Sequence, residues 1–490
     1  MICNRTVIVL GAAYGGARAA QVLAAGIPAG WRVLLIDRNS HTNHIYIFPR
    51  LSVLPGHEHK AFISNTKIFL TEEPPLLHRR LQATVTSISQ KFVTLSRAFP
   101  EHGLPTETVA FDYLVYALGS HLPAPLNLWG TDSAGIPMPR KPSKDRQLPV
   151  YNGMKTEGIA WIQKHQKIVE DAPTVLVVGG GALGIQFATD IATIHPTKKV
   201  TLLHSRNRLL PRFDPAMHSE ILDALDTLDN VTVILGERLD LSSVDEEPVK
   251  TNEHGQRIVR TATGREIAAD LILLCTGQTP NTGLLKEMDP DTVNPDDGLA
   301  HVLRTMQLGV LPRLRARARS SSSDQAETAP EETSLSEYSP STAAAPPTTE
   351  DPEEDTPYPH IFVIGDAADA FGAIPAGHNA YYQAEVAARN VIRLIRRSCG
   401  PEANEPLEHY APGPPAIKVT LGLGKAVFQS RGVIGRKDGE PDDLDAASMW
   451  PVFGIAIRDE DQMQMVSIQI KAIANDDNDD EEHIDHPYLK

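Results

Sequence analysis

Two stretches of this chain carry glycines at a spacing suited to holding a dinucleotide. Gly179-Gly180-Gly181-Ala182-Leu183-Gly184 fills all three glycine positions of the pattern G-x-G-x-x-G. In that pattern the first glycine permits a tight turn and the second lets the backbone approach a pyrophosphate. The third allows a helix to pack on a strand. Anions favour such a turn because free N–H groups and the helix dipole converge there. Gly11-Ala12-Ala13-Tyr14-Gly15-Gly16 is an earlier, less regular version. Gly11 and Gly16 keep the outer positions and Gly15 adjoins them. Ala13 replaces the middle glycine, and its methyl is expected to narrow the approach of a pyrophosphate.

A ribose-binding acid stands roughly 20 residues beyond such a turn. Asp37 follows Gly16 by 21 residues, with Arg38 beside it. No acid holds the corresponding place in the second stretch, where Leu203 is followed by His204-Ser205-Arg206. Arg206 either accommodates the 2′-phosphate of NADPH or is a solvated surface residue, and both readings stay open. Three further segments end apolar runs in glycine: Tyr113–Gly119, Leu271–Gly277 and His360–Gly365, the last continuing as Asp366-Ala367-Ala368. Asp366 at such a turn suits a hydrogen bond to a flavin ribityl hydroxyl.

The elements that must position these residues are written around them. Thr6–Leu10 is a short β-branched run, Ala17–Ala25 is helix-forming, and Trp31–Ile36 is apolar again. That order is a βαβ unit feeding a parallel sheet. It recurs as Thr174–Val178, Ile185–Ile194 and Val200–Leu203, a duplication that implies two nucleotide-binding units. Ala83–Ser96 and Thr108–Leu118 read as β-rich, and residues 121–149 as a connection. Lys155–Asp171 and about Ala380–Arg397 read as helices, and 411–470 as a strand-rich terminal module. The expected fold class is α/β: two Rossmann-like dinucleotide-binding domains plus a small α+β C-terminal module. The expected boundaries are 1–149 with 359–410 for an FAD domain and 150–312 for an NAD(P)H domain. Residues 313–358 read as a low-complexity insertion, too poor in apolar surface to offset its ordering entropy. Residues 411–490 form the terminal module, with an acidic tail from Asn475.

The chain has 490 residues and a net charge of −16. That charge disfavours nucleic acid or an anionic membrane as the main partner, because both are polyanions. Cys3, Cys275 and Cys399 form no C-x-x-C pair, so neither a metal cluster nor a vicinal redox disulfide is expected. Cys275, inside the run Leu271–Cys275, reads as a small core hydrophobe. No targeting segment, N-myristoylation or membrane-spanning helix is expected. The expected location is cytoplasmic, with at most peripheral contact to a membrane or lipid droplet, and a homodimer stays open. Trp450, Val452, Phe453, Ile455 and Ile457 read as core or subunit contact ahead of an interfacial patch.

Taken together, the two glycine turns, the three strand-to-glycine segments and Gly365–Ala368 resemble the flavoproteins with two dinucleotide-binding domains. The resemblance runs from residue 5 to about 400, interrupted by the 313–358 insertion. Val200–Arg206, Leu273–Gly277, Tyr410–Gly413 and Lys418–Gly424 are most similar to the apoptosis-inducing-factor-like group, which includes the ferroptosis suppressor and its fungal relatives. The resemblance implies FAD held by Gly11, Gly16, Asp37 and Asp366, and NADH or NADPH held by Gly179, Gly181 and Gly184. It also implies transfer of electrons to a small-molecule acceptor of the quinone kind. Ala13 departs from the strict glycine pattern, and Ile2, where myristoylation needs glycine, departs from the membrane-anchored animal member and puts a membrane quinone in doubt.

The resemblance also places His41-Thr42-Asn43-His44 and Pro49-Arg50 beside the flavin ring. Pro49 would pack on the ring, and His41 and His44 would relay a proton or be ordinary loop residues. Lys60 is read as a surface lysine ahead of a partner for reduced flavin. Gly377-His378-Asn379 opens the last helix, with His378 either a ring contact or a cap and Asn379 a cofactor contact. Reduction of a small iron–sulfur or haem protein, and a flavin-bound signalling or death-effector role, are the competing readings.

Overall fold

A computed structural model describes residues 5–70, 78–130, 150–246, 248–311, 356–398, 405–458 and 463–464. Nearly all of the 313–358 insertion, the tail from Asn475, Cys3 and Cys399 lie outside the described residues.

Two parallel sheets dominate. The first has six strands in the order Gln307–Leu308, Tyr358–Val363, Tyr113–Tyr116, Arg5–Leu10, Trp31–Asp37 and Arg79–Gln82. Its pairings are parallel except at the Gln307–Leu308 edge. The second has four parallel strands in the order Val231–Leu235, Lys199–His204, Thr174–Val178 and Leu271–Leu274. Continuous apolar strands need both faces covered. Val7 to Leu10, Val33 to Ile36 and Leu202 with Leu203 are indeed fully or almost fully buried. Helices Tyr14–Gly26 and Gly377–Arg397 pack together on the first sheet, and Ala182–Ile194 packs on the second. Each observed helix begins about three residues before its expected apolar stretch, because the glycine turn itself supplies the first turn.

The duplication extends to single hydrogen bonds. Gly11 N–H donates to Ile36 O at 2.7 Å, and Gly179 N–H to Leu203 O at 2.8 Å. Ala117 N–H donates to Leu10 O at 2.9 Å, and Cys275 N–H to Val178 O at 2.8 Å. Gly11 and Gly179 both take positive φ, +94° and +124°. A β-carbon on Gly16 would stand 1.9 Å from Gly11 O, and one on Gly184 would stand 1.8 Å from Gly179 O. Helix and turn therefore touch backbone to backbone in both units.

Strands Ile417–Thr420, Gly424–Ser430 and Val433–Glu440 form an antiparallel terminal sheet, followed by the 3-10 segment Ala446–Phe453. Trp450, Phe453 and Ile455 are buried and Ile457 is half-buried, in line with the core reading of that apolar run, whereas Val452 is exposed. Lys60 corrects its reading. It is 1% exposed and pairs with Asp443 at 2.7 Å. Its carbonyl accepts the Trp450 indole N–H at 3.2 Å, so it anchors the terminal module and does not lie on the surface.

Arg50 ties three parts of the chain together, with no side-chain exposure. Its Nη2 stands 2.9 Å from Asp190 Oδ1 on the second unit's helix. It also donates to Gly422 O at 2.7 Å and Asp442 O at 2.9 Å in the terminal module. The Asp190 contact is close but not aligned as a hydrogen bond. Burial pushes the Asp190 carboxyl above its usual range, with Arg50 opposing that shift. Removing one partner of a buried pair leaves an uncompensated charge and costs about 3–5 kcal/mol. Arg50→Met should therefore lower the unfolding midpoint sharply. Asp190→Asn should do less harm, because it keeps the shape and leaves Arg50 its two carbonyl acceptors, whereas Arg50→Met removes those bonds as well. Thermal or urea unfolding of the two variants checks this ordering.

Candidate functional site

A cavity of about 980 Å³ opens between the two sheets and reaches both glycine turns. Of the residues singled out by sequence, Gly11, Ala13, Gly15, Asp37, Arg38, Pro49, Gly119, Gly181, Gly277, Gly365 and Asp366 line it. Gly16, Gly179 and Gly184 stand behind the wall and shape the turns. Arg206 is exposed just beyond the Lys199–His204 strand.

The departure at Ala13 has a simple physical outcome. Ala13 caps its helix with φ −80° and ψ −169°, and Gly181 caps its own with φ −82° and ψ 178°. Both are extended conformations open to any residue, so the alanine adds no strain. A β-carbon on Gly181 meets nothing within 4 Å, which shows that this position faces open cavity. The methyl of Ala13 takes up room there and nothing more.

Asp37 lies at the strand end, as the spacing implied. Its Oδ2 accepts the Ala12 N–H at 2.7 Å, and its Oδ1 accepts the Asn39 N–H at 2.7 Å and side-chain amide at 2.9 Å. The carboxylate thus holds the turn while facing the cavity. Burial raises its pKa against those hydrogen bonds. The second unit does the same job with a different group. Gly180 N–H donates to His204 Nδ1 at 3.0 Å, and His204 Nε2 lies 3.2 Å from Arg208 O. Nδ1 must accept, so Nε2 carries the proton.

The Arg38 guanidinium lies 4.2 Å from the centre of the Trp129 ring. Trp129 Nε1–H and the Tyr151 hydroxyl both donate to Asn39 Oδ1, at 3.0 and 2.8 Å. This end of the cavity offers a flat aromatic and cationic wall suited to a stacked base. Sequence reading missed Trp129, because it meets Arg38 only through folding.

At the middle of the cavity Asp366 Oδ2 accepts from Ser120 Oγ at 3.1 Å and from Gln278 Nε2 at 2.8 Å. Burial raises the Asp366 pKa, and these two donors oppose the rise. Ser120 and Gln278 follow Gly119 and Gly277, the same place in the two repeats. That equivalence was the signal that could have found them. The short strand Ser120–His121 pairs antiparallel with Thr279–Pro280, which follows Gln278, and joins the two units beside the cavity.

Three named residues stand elsewhere. His378 is exposed, and the Asn379 amide donates to Ile374 O at 2.8 Å, holding the loop before its own helix. That helix contributes Gly377 and Ala380 to the wall instead. His44 is buried behind the wall, with Nδ1 2.8 Å from the hydroxyl of Tyr14, which does line the cavity. His41 lines it but is held by Ser40 and Asn43 at 3.0 and 2.8 Å. Burial lowers the pKa of His41 to about 3 and of His44 to about 4, so both rings are neutral at physiological pH.

Fold and site together define a protein with two dinucleotide-binding units opening on one shared cleft. A family model described as pyridine nucleotide-disulphide oxidoreductase matches residues 5–302. Fe-regulated protein 8 of Mycosarcoma maydis is 40% identical over 93% of this chain and 96% of its own length. Ferroptosis suppressor protein 1 of Taeniopygia guttata is 25% identical over 91% and 95%. Among solved structures, the water-forming NADH oxidase from Lactobacillus brevis matches 87% of this chain and 75% of that one, with a TM-score of 0.55 and 18% identity. The chain belongs to the pyridine nucleotide-disulphide oxidoreductase family. It is accordingly an oxidoreductase of the flavoprotein kind, using FAD and NAD(P)H. The cavity fits those groups: two glycine turns, two helix N-termini and a stacking wall face one space. Among the described residues, no helix is long and apolar enough to cross a membrane.

The open space at Gly181 separates binding from folding. Gly181→Glu should fold normally, retain FAD and lose NAD(P)H oxidation by two orders of magnitude or more. Gly184→Val should fail to fold, because its side chain would meet backbone 1.8 Å away. Flavin absorbance of the purified variants and NAD(P)H-driven bleaching distinguish the two outcomes.

Proposed function

We propose that this protein oxidises NADH or NADPH through FAD and delivers the electrons to a quinone-like small molecule. The observation that carries the reading is one cavity reaching both glycine turns with no reactive thiol among its described residues. Cys275 reaches the wall, yet it is buried and burial pushes its thiol pKa far up, so it is no thiolate. The sequence holds no C-x-x-C. An exit for electrons through a dithiol therefore has no support, and direct transfer to a small acceptor does.

When bound, FAD would supply the two-electron chemistry that links hydride from the nicotinamide to the acceptor. The protein supplies position. In this reading residues 1–149 and 359–410 hold FAD, and residues 150–312 hold NAD(P)H. Asp37 and Arg38 fix the adenosine end of FAD, and Asp366 with Ser120 and Gln278 fixes its middle. Pro49 offers an apolar face for the ring system. On the nicotinamide side, His204 replaces the acid that would repel a 2′-phosphate, and Arg206 is exposed beside it. These two features favour acceptance of NADPH alongside NADH.

Anaerobic addition of each nicotinamide to the yellow protein tests the reading. NADPH is expected to bleach the flavin at least as fast as NADH, and decylubiquinone to restore the colour within seconds. Bleaching without recovery would redirect the assignment to a protein acceptor.

A further inference from the structure

We propose that Tyr14 gives a proton to the electron acceptor and that His44 reloads it. This rests on the quinone-like reading above. Tyr14 opens the helix Tyr14–Gly26 and lines the cavity. Its hydroxyl lies 2.8 Å from His44 Nδ1, and His44 keeps 6% of its surface exposed. The ring is wedged between Tyr46 and Phe453, with centroids 5.1 and 6.4 Å away. Pro49, a wall residue, lies just beyond Tyr46 in sequence.

Several other titratable groups on or next to the cavity wall hold partners of their own. The Tyr46 hydroxyl accepts the Gly377 N–H. His41 bonds Ser40 and Asn43, and Tyr151 bonds Asn39. Asp37 holds the Ala12 turn, and Asp366 holds Ser120 and Gln278. The Tyr14–His44 pair sits against the cavity with a titratable ring behind a hydroxyl, an arrangement suited to proton relay. Burial keeps that imidazole neutral, so it relays without storing charge.

The step balances as follows. A quinone becomes a quinol by gaining two electrons and two protons. The hydride from NAD(P)H supplies both electrons and one proton. The second comes from Tyr14, whose O–H bond breaks as the quinol O–H bond forms. His44 passes its Nδ1 proton to the tyrosine oxygen while Nε2 takes one from water, which leaves the other neutral tautomer; exchange of the ring protons with water restores the first tautomer before the next turnover. The net change is NAD(P)H, H⁺ and quinone to NAD(P)⁺ and quinol.

Ferricyanide takes electrons without protons, so it separates relay from electron transfer. The test compares reoxidation of reduced holoenzyme by decylubiquinone and by ferricyanide in wild type, Tyr14→Phe and His44→Gln. The ratio of quinone to ferricyanide rates should fall at least tenfold in both variants. The solvent deuterium isotope effect on quinone reoxidation should change in both. Glutamine keeps a hydrogen bond to Tyr14 but cannot swap protons. Decylubiquinone binding to the oxidised enzyme without NAD(P)H, read by fluorescence quenching, should therefore weaken several-fold in Tyr14→Phe and little in His44→Gln. An unchanged rate ratio in Tyr14→Phe overturns the relay while the quinone reading stands. A wild-type enzyme that decylubiquinone cannot reoxidise overturns the quinone reading, and the relay with it.

Discussion

The buried contact between Arg50 and Asp190 governs how the two nucleotide-binding units face each other. Taking either charge out of water costs several kcal/mol, so the pair persists only where surrounding groups compensate. Two carbonyls of the terminal module, Gly422 O and Asp442 O, supply that compensation. Three separate parts of the chain must therefore be in place before this interior polar junction is satisfied. Its position matters for the site. Pro49 precedes Arg50, and Gln186 lies one helical turn before Asp190; both line the cavity. The junction thus sets the separation of two wall residues that belong to different units.

The terminal module accordingly has a part in the site although none of its described residues lines the cavity. Lys60 pairs with Asp443, and the Trp450 indole bonds the Lys60 carbonyl. Lys155, also buried, donates to Met463 O at 2.8 Å and lies 4.9 Å from the Trp450 ring centre. Gln186 is held from the same side, its amide donating to Thr420 Oγ1 at 3.1 Å. Buried cations directed at one module make it a clamp on the wall segments 48–62 and 182–194. Each would lose its compensation if the module left.

The two units use one backbone design with different side chains. The turn N–H is held by a carboxylate in the first, Asp37, and by an imidazole in the second, His204. Both groups accept one hydrogen bond from the residue after the first glycine, so the turn is indifferent to the exchange. The ligand is not indifferent, because one group is anionic and the other neutral. The same turn can in this way present a different group to each of two dinucleotides.

Much of this was legible in the sequence because it is local. Glycines at 11, 16, 179 and 184 report backbone contacts within a single turn, and apolar runs such as Val7–Leu10 report a strand covered on both faces. Asp37 and Asp366 were legible because one closes its own strand and the other stands in the glycine turn just after its strand. Other features depend on residues far apart in the chain. Trp129 over Arg38, Tyr14 on His44 and Arg50 against Asp190 exist only after strands have paired and helices have packed. Lys60 shows the limit best. By type and neighbours it reads as a solvated lysine, yet a module hundreds of residues away buries it and provides its carboxylate. The sequence by itself determined the two nucleotide-binding turns, since each is specified by contiguous residues and their backbone freedom. Tertiary structure decided which polar side chains beyond Asp37, Arg38 and Asp366 face the cleft, since that follows from burial and partners that distant segments supply.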